Sequence, residues 1–136
     1  LKKMFGLKVP VISVIIGEGA SGGALGIAIG DKVLMMENAW YSVISPENCS
    51  TILWKRWDFK EQAADVLKPT AQDMLKLKLI DEIIKEPLGG AHTNLQESAN
   101  FLKKALLSNL ETLEKKSPQD RISDRMDKFG AMGVYN

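Results

Sequence analysis

A run of seven residues that contains four glycines is the part of this chain best suited to chemistry. It covers residues 17–23, Gly-Glu-Gly-Ala-Ser-Gly-Gly, and lies between two apolar segments, 11–16 and 24–29. Glycine loses more backbone entropy on folding than other residues, so four together require a structural reason. A tight turn from a strand into a helix, with backbone N–H groups facing a negatively charged or polar group, gives that reason. The nature of the facing group decides the function.

The glycine pattern fits more than one kind of site. Gly17, Gly19 and Gly22 match the G-x-G-x-x-G fingerprint of dinucleotide-binding folds, and Glu37 stands where that fold has an acid for the ribose. The segment after the glycines argues against this use, because it is short and has no polar residue. A crossover helix packed on one face of a sheet is amphipathic instead.

A catalytic serine and a phosphate loop are weaker alternatives. Residues 19–23 have the G-x-S-x-G spacing of a nucleophile elbow, with Ser21 in the central position. Its only histidine partner would be His92, and no acid is clearly placed to orient that ring. No Gly-Lys-Ser/Thr ends the turn, which argues against a P-loop. A turn without any chemical role is also open.

An oxyanion site needs the fewest further residues. Two free N–H groups at the start of a buried helix suit negative charge that develops on a carbonyl oxygen. Such a site requires no histidine, metal or nucleophile from this chain. An acid beside the charge would be unfavourable, so we expect Glu18 to turn away from it. We favour the oxyanion site among these interpretations.

Composition and charge narrow the function classes. With 136 residues, 45% of them apolar and 26% charged, the chain fits one soluble globular domain with a real core. The net charge of +1 gives no electrostatic reason to expect nucleic acid or a membrane as a partner. A single cysteine, Cys49, excludes an internal disulfide, and one histidine leaves no metal-ligand cluster. A cytoplasmic location is therefore expected.

No segment has the pattern of a transmembrane span or a secretory signal peptide. The apolar stretch 9–29 is broken by glycines and carries Glu18. The chain opens on Leu1 and is already in mid-fold by Val11, so we expect the C-terminal piece of a longer protein.

Hydrophobic periodicity predicts a mixed α/β chain. A short helix after the glycine turn, residues 22–29, is apolar on every side and should be buried all round. Three later helices begin at the capping residues Ser45, Thr70 and Ser117. The predicted strands cover residues 11–16, 32–36, 40–44 and 80–84, and the other helices cover 46–55, 59–67, 71–77, about 20 residues from 94, and 118–130, with fraying beyond.

Apolar residues of the later segments should lie in the interior. Cys49, Ile52 and Leu53 are expected on the inner face of the helix that follows Ser45. The three tryptophans are expected in the core or at a subunit interface.

Several motifs in close succession resemble those of one known family, the α subunit of bacterial acetyl-CoA carboxylase carboxyltransferase. The resemblance covers nearly the whole chain from Val9 and is specific in combination. The motifs are VPV at 9–11, GEG at 17–19, SGGAL at 21–25, GDKV at 30–33, YSVISPE at 41–47, ILWK at 52–55, LKLID at 77–81 and EPLGGAH at 86–92.

The resemblance implies a fold and a division of the chain. The fold is crotonase-like (ClpP/crotonase type), a superhelix of β-β-α units, of which this chain would be the C-terminal part. Residues 1–136 then form one portion of a single carboxyltransferase domain. An α/β part covers about 1–93, and C-terminal helices cover 94–130.

The resemblance also implies a reaction and partners. A carboxyl group passes from carboxybiotin, held on a separate biotin carboxyl carrier protein, to acetyl-CoA, which gives malonyl-CoA for fatty acid biosynthesis. The α subunit pairs with a carboxyltransferase β subunit as an α2β2 heterotetramer, in an ATP-binding complex with biotin carboxylase. The chain alone would be inactive.

Site residues carry over position by position. The backbone N–H groups of Gly19 and Ala20 become the oxyanion donors, and Gly17, Ser21, Gly22 and Gly23 become substrate-binding residues. The family often has a second glycine where this chain has Ala20, but alanine keeps the N–H. Two other functions are alternatives: a crotonase-fold acyl-CoA hydratase or isomerase, which needs a catalytic acid near the helix start, and a non-catalytic assembly fragment.

Overall fold

The computed structural model describes residues 1–133 of the 136-residue chain. Five strands and seven α-helices alternate along this part. The strands are β1 (Ile12–Ile15), β2 (Glu18–Ala20), β3 (Lys32–Met36), β4 (Trp40–Ser42) and β5 (Glu82–Ile84). The helices are α1 (Lys2–Phe5), α2 (Ser21–Ile27), α3 (Pro46–Trp54), α4 (Lys60–Leu67), α5 (Ala71–Lys76), α6 (Leu95–Glu114) and α7 (Pro118–Gly130), with a 3₁₀ turn at Ala91–Thr93.

The first half of the chain repeats the order strand, strand, helix. β1, β2 and α2 form one unit, and β3, β4 and α3 form the next. The first strands of the units pair in parallel in a sheet of order β1-β3-β5, and the second strands pair in parallel as β2-β4. The chain is therefore a mixed α/β structure with two small parallel sheets.

The same device holds the start of each strand in the larger sheet. The carboxylate of Asp31, just before β3, accepts a hydrogen bond of 2.7 Å from the Val11 N–H at the start of β1. The carboxylate of Asp81, just before β5, accepts one of the same length from the Val33 N–H of β3. Each aspartate N–H also donates to the carbonyl of the same partner residue, at 2.8 Å. Aspartates thus set the register at this edge of the sheet.

Helix α7 crosses that edge and pairs with both aspartates. Arg125 binds Asp31 through two nitrogens at 2.8–3.0 Å, and Lys128 binds Asp81 at 3.0 Å. The Arg125 and Asp31 side chains are almost fully buried, at 0% and 3% exposure. Burial is the largest influence on Lys128 and lowers the pKa of its ammonium, against the raising effect of Asp81. A buried ion pair therefore joins the last helix to the start of β3, and Asp31 extends this link to the start of β1 through the Val11 N–H.

The hydrophobic core lies around β3. Val33, Leu34 and Met35 are completely or almost completely buried there. The apolar faces of α5 and α6 pack against them, through Met74 and Ala105 among others. Since strands of a parallel sheet are covered on both faces, the continuous apolar run of β3 is as expected.

Most predicted helix starts are confirmed. The Ser45, Thr70 and Ser117 side chains each accept a hydrogen bond from the N–H three residues on, as an N-cap does. Asn94 does the same for α6, which has the expected length of 20 residues. Sequence therefore fixes these ends through short-range hydrogen bonds.

The predicted burial of α2 is wrong. No residue of α2 is buried, and Leu25 and Ile27 are 58% and 71% exposed. The elements that hold the helix lie on one side of it: β2 contacts it, and the Ser13 hydroxyl donates to the Ile27 carbonyl at 2.8 Å. Within the described residues, Leu25 and Ile27 stay largely uncovered, although the helix has no polar residue after Ser21.

The predicted inner face of α3 is also wrong. Ile52 and Leu53 are exposed and Cys49 is half-buried, whereas Ser50 is fully buried and donates to the Arg56 carbonyl. The helix turns its small polar side inward because its neighbours there are the Arg56 carbonyl and α4 rather than the sheet.

Strand β4, the third of the predicted strands, is shorter than the predicted range 40–44. β4 ends at Ser42, whose hydroxyl donates to the Ile44 carbonyl and bends the chain. The fraying predicted after Gly130 concerns in part residues 134–136, which lie outside the described residues. Within residues 1–133, no helix combines the length and the apolar composition that a membrane crossing requires.

Candidate functional site

The glycine run does not form a bare turn but contains a short strand. β2 pairs in parallel with β4, with Gly19 opposite Tyr41 and Ala20 opposite Ser42. The Trp40 N–H donates to the Gly17 carbonyl at 3.0 Å. Helix α2 begins immediately after Ala20, so the site is a junction of strand and helix.

This pairing gives the two expected donors different directions. In a parallel ladder the backbone groups of alternate residues face the same neighbour. Since the Gly17 carbonyl faces Trp40, the Gly19 N–H is directed to the Trp40 carbonyl. The Ala20 N–H faces the opposite edge of β2, away from β4. Ala20 is therefore the donor that the ladder leaves free.

Backbone angles at the junction place the strain at Ser21. Ala20 is extended, with φ −139° and ψ 155°, a conformation that alanine adopts freely. Ser21 has φ 58°, the left-handed region that non-glycine residues rarely occupy. Such angles cluster at functional sites. The alanine in place of the family's second glycine thus costs no backbone strain.

A cavity of about 430 Å³ opens beside the junction. This volume lies within the usual range for small-molecule sites. Its wall is mostly apolar and comes from β1, β2 and α2, with Tyr41 from β4. The lining residues are Ser13, Val14, Ile15, Ile16, Gly17, Glu18, Gly19, Ala20, Gly23, Ala24, Ile27, Ala28 and Tyr41.

The structure brings together four of the six predicted site residues. Gly17, Gly19, Ala20 and Gly23 line the cavity, whereas Ser21 and Gly22 do not. Glu18, which we expected to turn away, also lines it. Strand β2 and the start of α2 therefore both border the cavity.

Gly19 is required by packing. A Cβ atom there would lie 3.1 Å from Cδ2 of Tyr41 and 3.2 Å from Cγ2 of Ile15, tighter than ordinary contacts. A Cβ atom added at Gly22 or Gly23 would have no neighbouring atom within 4 Å.

Burial raises the pKa of the Tyr41 phenol, so the hydroxyl stays protonated.

The other candidate residues lie elsewhere. His92 is in the 3₁₀ turn next to Gly90 and does not line the cavity. Glu37 accepts a hydrogen bond from the Glu86 N–H at 3.3 Å, in the loops beyond β3 and β5. Among residues 1–133, no group of three or more His, Cys, Asp and Glu side chains could hold a metal ion.

Comparison with known proteins decides the family. The acetyl co-enzyme A carboxylase carboxyltransferase-like family matches residues 1–133. The chain belongs to this carboxyltransferase family. The resemblance drawn from the sequence motifs is thereby confirmed.

Individual relatives agree with the family match. The chain is 59% identical over 136 residues to a Chlorobium phaeobacteroides (strain BS1) protein, and it covers 41% of that protein. It is 57% identical to a Chlorobaculum parvum protein, covering 40% of it, and 57% identical over 134 residues to one from Flavobacterium psychrophilum, covering 42%. The matches include 100%, 100% and 98% of the present chain.

All three relatives bear the name acetyl-coenzyme A carboxylase carboxyl transferase subunit alpha. The chain spans about two-fifths of the length of these curated relatives.

In this carboxyltransferase-family chain, sequence reasoning missed the lining residues outside the glycine run, and Tyr41 is the most distant of them along the chain. It lies 22 positions after Gly19, and only the parallel pairing of β2 with β4 places the two side by side. The strand-strand-helix order was the available signal, because successive units of such a repeat pair their equivalent strands. Equivalent strands of neighbouring units then bring their residues to one pocket.

Proposed function

We propose that this chain is part of the carboxyltransferase α subunit of an acetyl-CoA carboxylase. Its role is to bind a reactant in the cavity at the β2–α2 junction and to stabilise charge on a carbonyl oxygen. Family membership over residues 1–133 and an apolar cavity with a free backbone donor, the Ala20 N–H, support this. The position of that N–H is the observation on which the proposal depends.

We extend the proposal to the fold and the assembly. The strand-strand-helix repeat supports a crotonase-like superhelix, and the names of the relatives support a multi-subunit enzyme. The proposed partners are a carboxyltransferase β subunit in an α2β2 heterotetramer, a biotin carboxyl carrier protein and biotin carboxylase, in the cytoplasm. The position of the chain in the C-terminal part of the subunit, divided near residue 93, stays a prediction.

The cavity is suited to the carboxyl donor of this reaction. Carboxybiotin, when bound, supplies the carboxyl group that acetyl-CoA receives. Val14, Ile15 and Ile27 provide the apolar wall that a fused ring needs. A reactant bound against this wall would displace water, which strengthens a hydrogen bond from the protein to an oxygen that gains charge.

The chain contributes backbone donors rather than side-chain chemistry. We assign the Ala20 N–H to the oxyanion directly. We assign Gly19 a structural role. Its N–H faces the Trp40 carbonyl, and its lack of a side chain lets Tyr41 and Ile15 pack next to it. Gly17 and Gly23 form part of the cavity wall, and Ser21 and Gly22 form the turn between β2 and α2. Loss of one oxyanion donor typically lowers kcat about 10²–10³-fold.

The test removes one N–H and keeps every side chain. The ester also makes the Gly19 carbonyl a weaker hydrogen-bond acceptor, an effect that the control below reproduces at the Asn94 carbonyl, which accepts from the Ser98 N–H. Lactic acid replaces Ala20 in the full-length subunit, which turns the amide into an ester of the same shape. In the enzyme reconstituted with its β subunit and biotinylated carrier, we expect kcat for malonyl-CoA formation to fall by about 10²–10³. The φ of −139° makes a proline substitution unsuitable, since proline fixes φ near −65°.

A matched control uses a free N–H elsewhere. Leu95 begins α6, so its N–H has no partner within the helix, and its side chain is exposed. The corresponding α-hydroxy acid at position 95 should leave kcat unchanged. A position-20 ester that transfers carboxyl groups as fast as this control contradicts the proposal.

A hydratase is a second candidate, because Glu18 lines the cavity and supplies the carboxyl group that such an enzyme needs. Addition of water to an enoyl-CoA, lost on Glu18→Gln, would favour it. A third candidate is a non-catalytic assembly role. A stable complex with the β subunit, in which the ester at position 20 does not change carboxyl transfer, would favour it. Carboxyl transfer that depends on position 20 excludes both.

A further inference from the structure

Three of the residues that line the cavity have polar side chains. These are Ser13, Glu18 and Tyr41. The Ser13 hydroxyl already donates to the Ile27 carbonyl at 2.8 Å, and the carboxylate oxygens of a glutamate such as Glu18 accept hydrogen bonds. Within residues 1–133, the Tyr41 hydroxyl makes no side-chain hydrogen bond, and its oxygen is not among the buried polar atoms that lack a partner, so it is open to solvent. Tyr41 is therefore the side chain of this wall with a donor to offer.

The Tyr41 ring is held in a fixed place. Its residue pairs with Gly19 in the β2–β4 ladder, and its Cδ2 atom occupies the space next to the missing side chain of Gly19. The Tyr41 N–H donates to the Pro69 carbonyl at 2.9 Å, and the neighbouring Trp40 forms a bridge with Thr70. A ring positioned by backbone on both sides loses little entropy when a ligand binds.

Burial keeps the phenol in its donor form. The pKa of Tyr41 is raised above its usual value, so the hydroxyl is neutral throughout the physiological range. A neutral phenol donates a hydrogen bond to a carbonyl oxygen that gains charge, as an ionised one could not.

We propose that the Tyr41 hydroxyl is a second hydrogen-bond donor of this cavity, to the carbonyl oxygen of the bound reactant. The inference rests on the proposed function and adds a side chain to the backbone donor at Ala20. The reactant oxygen belongs either to the cyclic urea of the biotin group or to the thioester of acetyl-CoA. The two sources share this chemistry and are separated by the experiment below.

The first arm uses Tyr41→Phe in the full-length subunit, reconstituted with its β subunit and carrier. We expect kcat/KM to fall about tenfold or more for one reactant, because a hydrogen bond to a group that gains charge is worth at least that factor. A fall for the carboxylated carrier assigns the urea oxygen, and a fall for acetyl-CoA assigns the thioester oxygen. Values within twofold of wild type for both reactants overturn the proposal.

A control hydroxyl lies outside the cavity. The Thr51 hydroxyl donates to the Glu47 carbonyl on exposed α3, and Thr51→Val should leave kcat/KM unchanged. Equal losses in both variants would mean that any lost hydroxyl perturbs the enzyme, and the proposal would fail. A wild-type enzyme without any carboxyl transfer contradicts the proposed function as well, whereas an active wild type with an unaffected Tyr41→Phe variant contradicts the role of Tyr41 alone.

The second arm separates donation from packing. 3,5-Difluorotyrosine at position 41 keeps the ring and the oxygen but makes the phenol more acidic. If the hydroxyl donates, kcat/KM falls as this phenol ionises, so the alkaline decline moves to lower pH than in the wild-type enzyme. An unchanged pH profile overturns the proposal even where Tyr41→Phe destabilises the subunit.

Discussion

Gly19 owes its identity to its neighbours rather than to its backbone angle. Its φ is not positive, and it stands in a strand where glycine is otherwise unfavourable. What requires glycine is the approach of the Tyr41 ring and the Ile15 side chain, which leave no ordinary space for a Cβ atom. The sequence motif identifies the position, but only the pairing of β2 with β4 explains it.

Gly19→Ala should therefore destabilise the chain. The new methyl group forces the Tyr41 ring or the Ile15 side chain to move, and overpacking of this kind costs about 1–3 kcal/mol. Urea unfolding followed by circular dichroism measures the change. Gly26→Ala is the matched control, because it lies in helix α2 with open space around it and should stabilise by about 0.5–1 kcal/mol. Equal effects in the two variants would show that packing does not select glycine at position 19.

At the scale of elements, α7 holds the strand starts of the larger parallel sheet through ion pairs with Asp31 and Asp81. Arg125 joins Asp31 to carbonyls of the N-terminal segment, including those of Met4, Phe5 and Leu7 at 2.7–3.1 Å. Asp31 in turn holds the Val11 N–H. Each unit of the repeat thus has its strand start fixed by an aspartate, and the last helix fixes the aspartates.

Loss of the Arg125–Asp31 pair should lower the free energy of unfolding substantially. Arg125→Ala leaves Asp31 buried without its partner, which typically costs about 3–5 kcal/mol. Lys115→Ala breaks an exposed pair with Glu111 one turn away on α6 and should cost no more than about 0.5 kcal/mol. Denaturant unfolding of both variants measures the difference. Similar small losses would mean that the buried pair contributes no more than a surface pair.

Loops beyond the other end of the sheet are joined by Glu86. Its carboxylate accepts hydrogen bonds from the N–H and the side-chain amide of Asn38 and from the Ala91 N–H, at 2.8–3.0 Å. Burial alone would raise the pKa of Glu86, but these bonds and nearby His92 outweigh it and lower the pKa.

The stability that Glu86 contributes should depend on pH. A carboxyl whose pKa is lower in the folded state stabilises fully above its unfolded value, here 4.5, and loses this effect as the pH falls through the folded pKa. Wild type should therefore exceed Glu86→Gln in unfolding midpoint at pH 6, and the gap should close towards pH 3. Glu111→Gln, at an exposed pair, should show no such gap. A constant gap between pH 6 and pH 3 would contradict the linkage.

At the scale of the whole molecule, local signals predicted more than long-range ones. Helix starts at Ser45, Thr70 and Ser117 follow from hydrogen bonds over three residues and were found as predicted. Strand β2 was missed because its partner β4 lies about 20 residues away. The motifs predicted a site in the glycine run, but the direction of each N–H and the pairing of Tyr41 with Gly19 follow only from the ladder.

The exposure of α2 is the largest departure from the sequence prediction, and it is a property of the whole molecule. A helix without a polar side is normally covered all round, yet this chain, two-fifths as long as its relatives, leaves Leu25 and Ile27 open. A second apolar surface lies on the α3–α4 pair, with Ile52, Leu53 and Trp57 exposed. Apolar side chains that are exposed to solvent bind hydrophobic dyes.

The isolated chain should therefore bind the dye ANS while it retains its circular dichroism spectrum. Leu25→Lys with Ile27→Lys should lower the dye emission by about a third or more, because the α2 surface is lost and the α3–α4 surface remains. Lysines at Leu95 and Met126, which are exposed on the separate helices α6 and α7, provide the matched control and should change the emission little. Equal reductions by the two pairs would mean that the exposed residues of α2 do not form one surface. Emission close to that of free dye in the unsubstituted chain would mean that α2 is covered in solution.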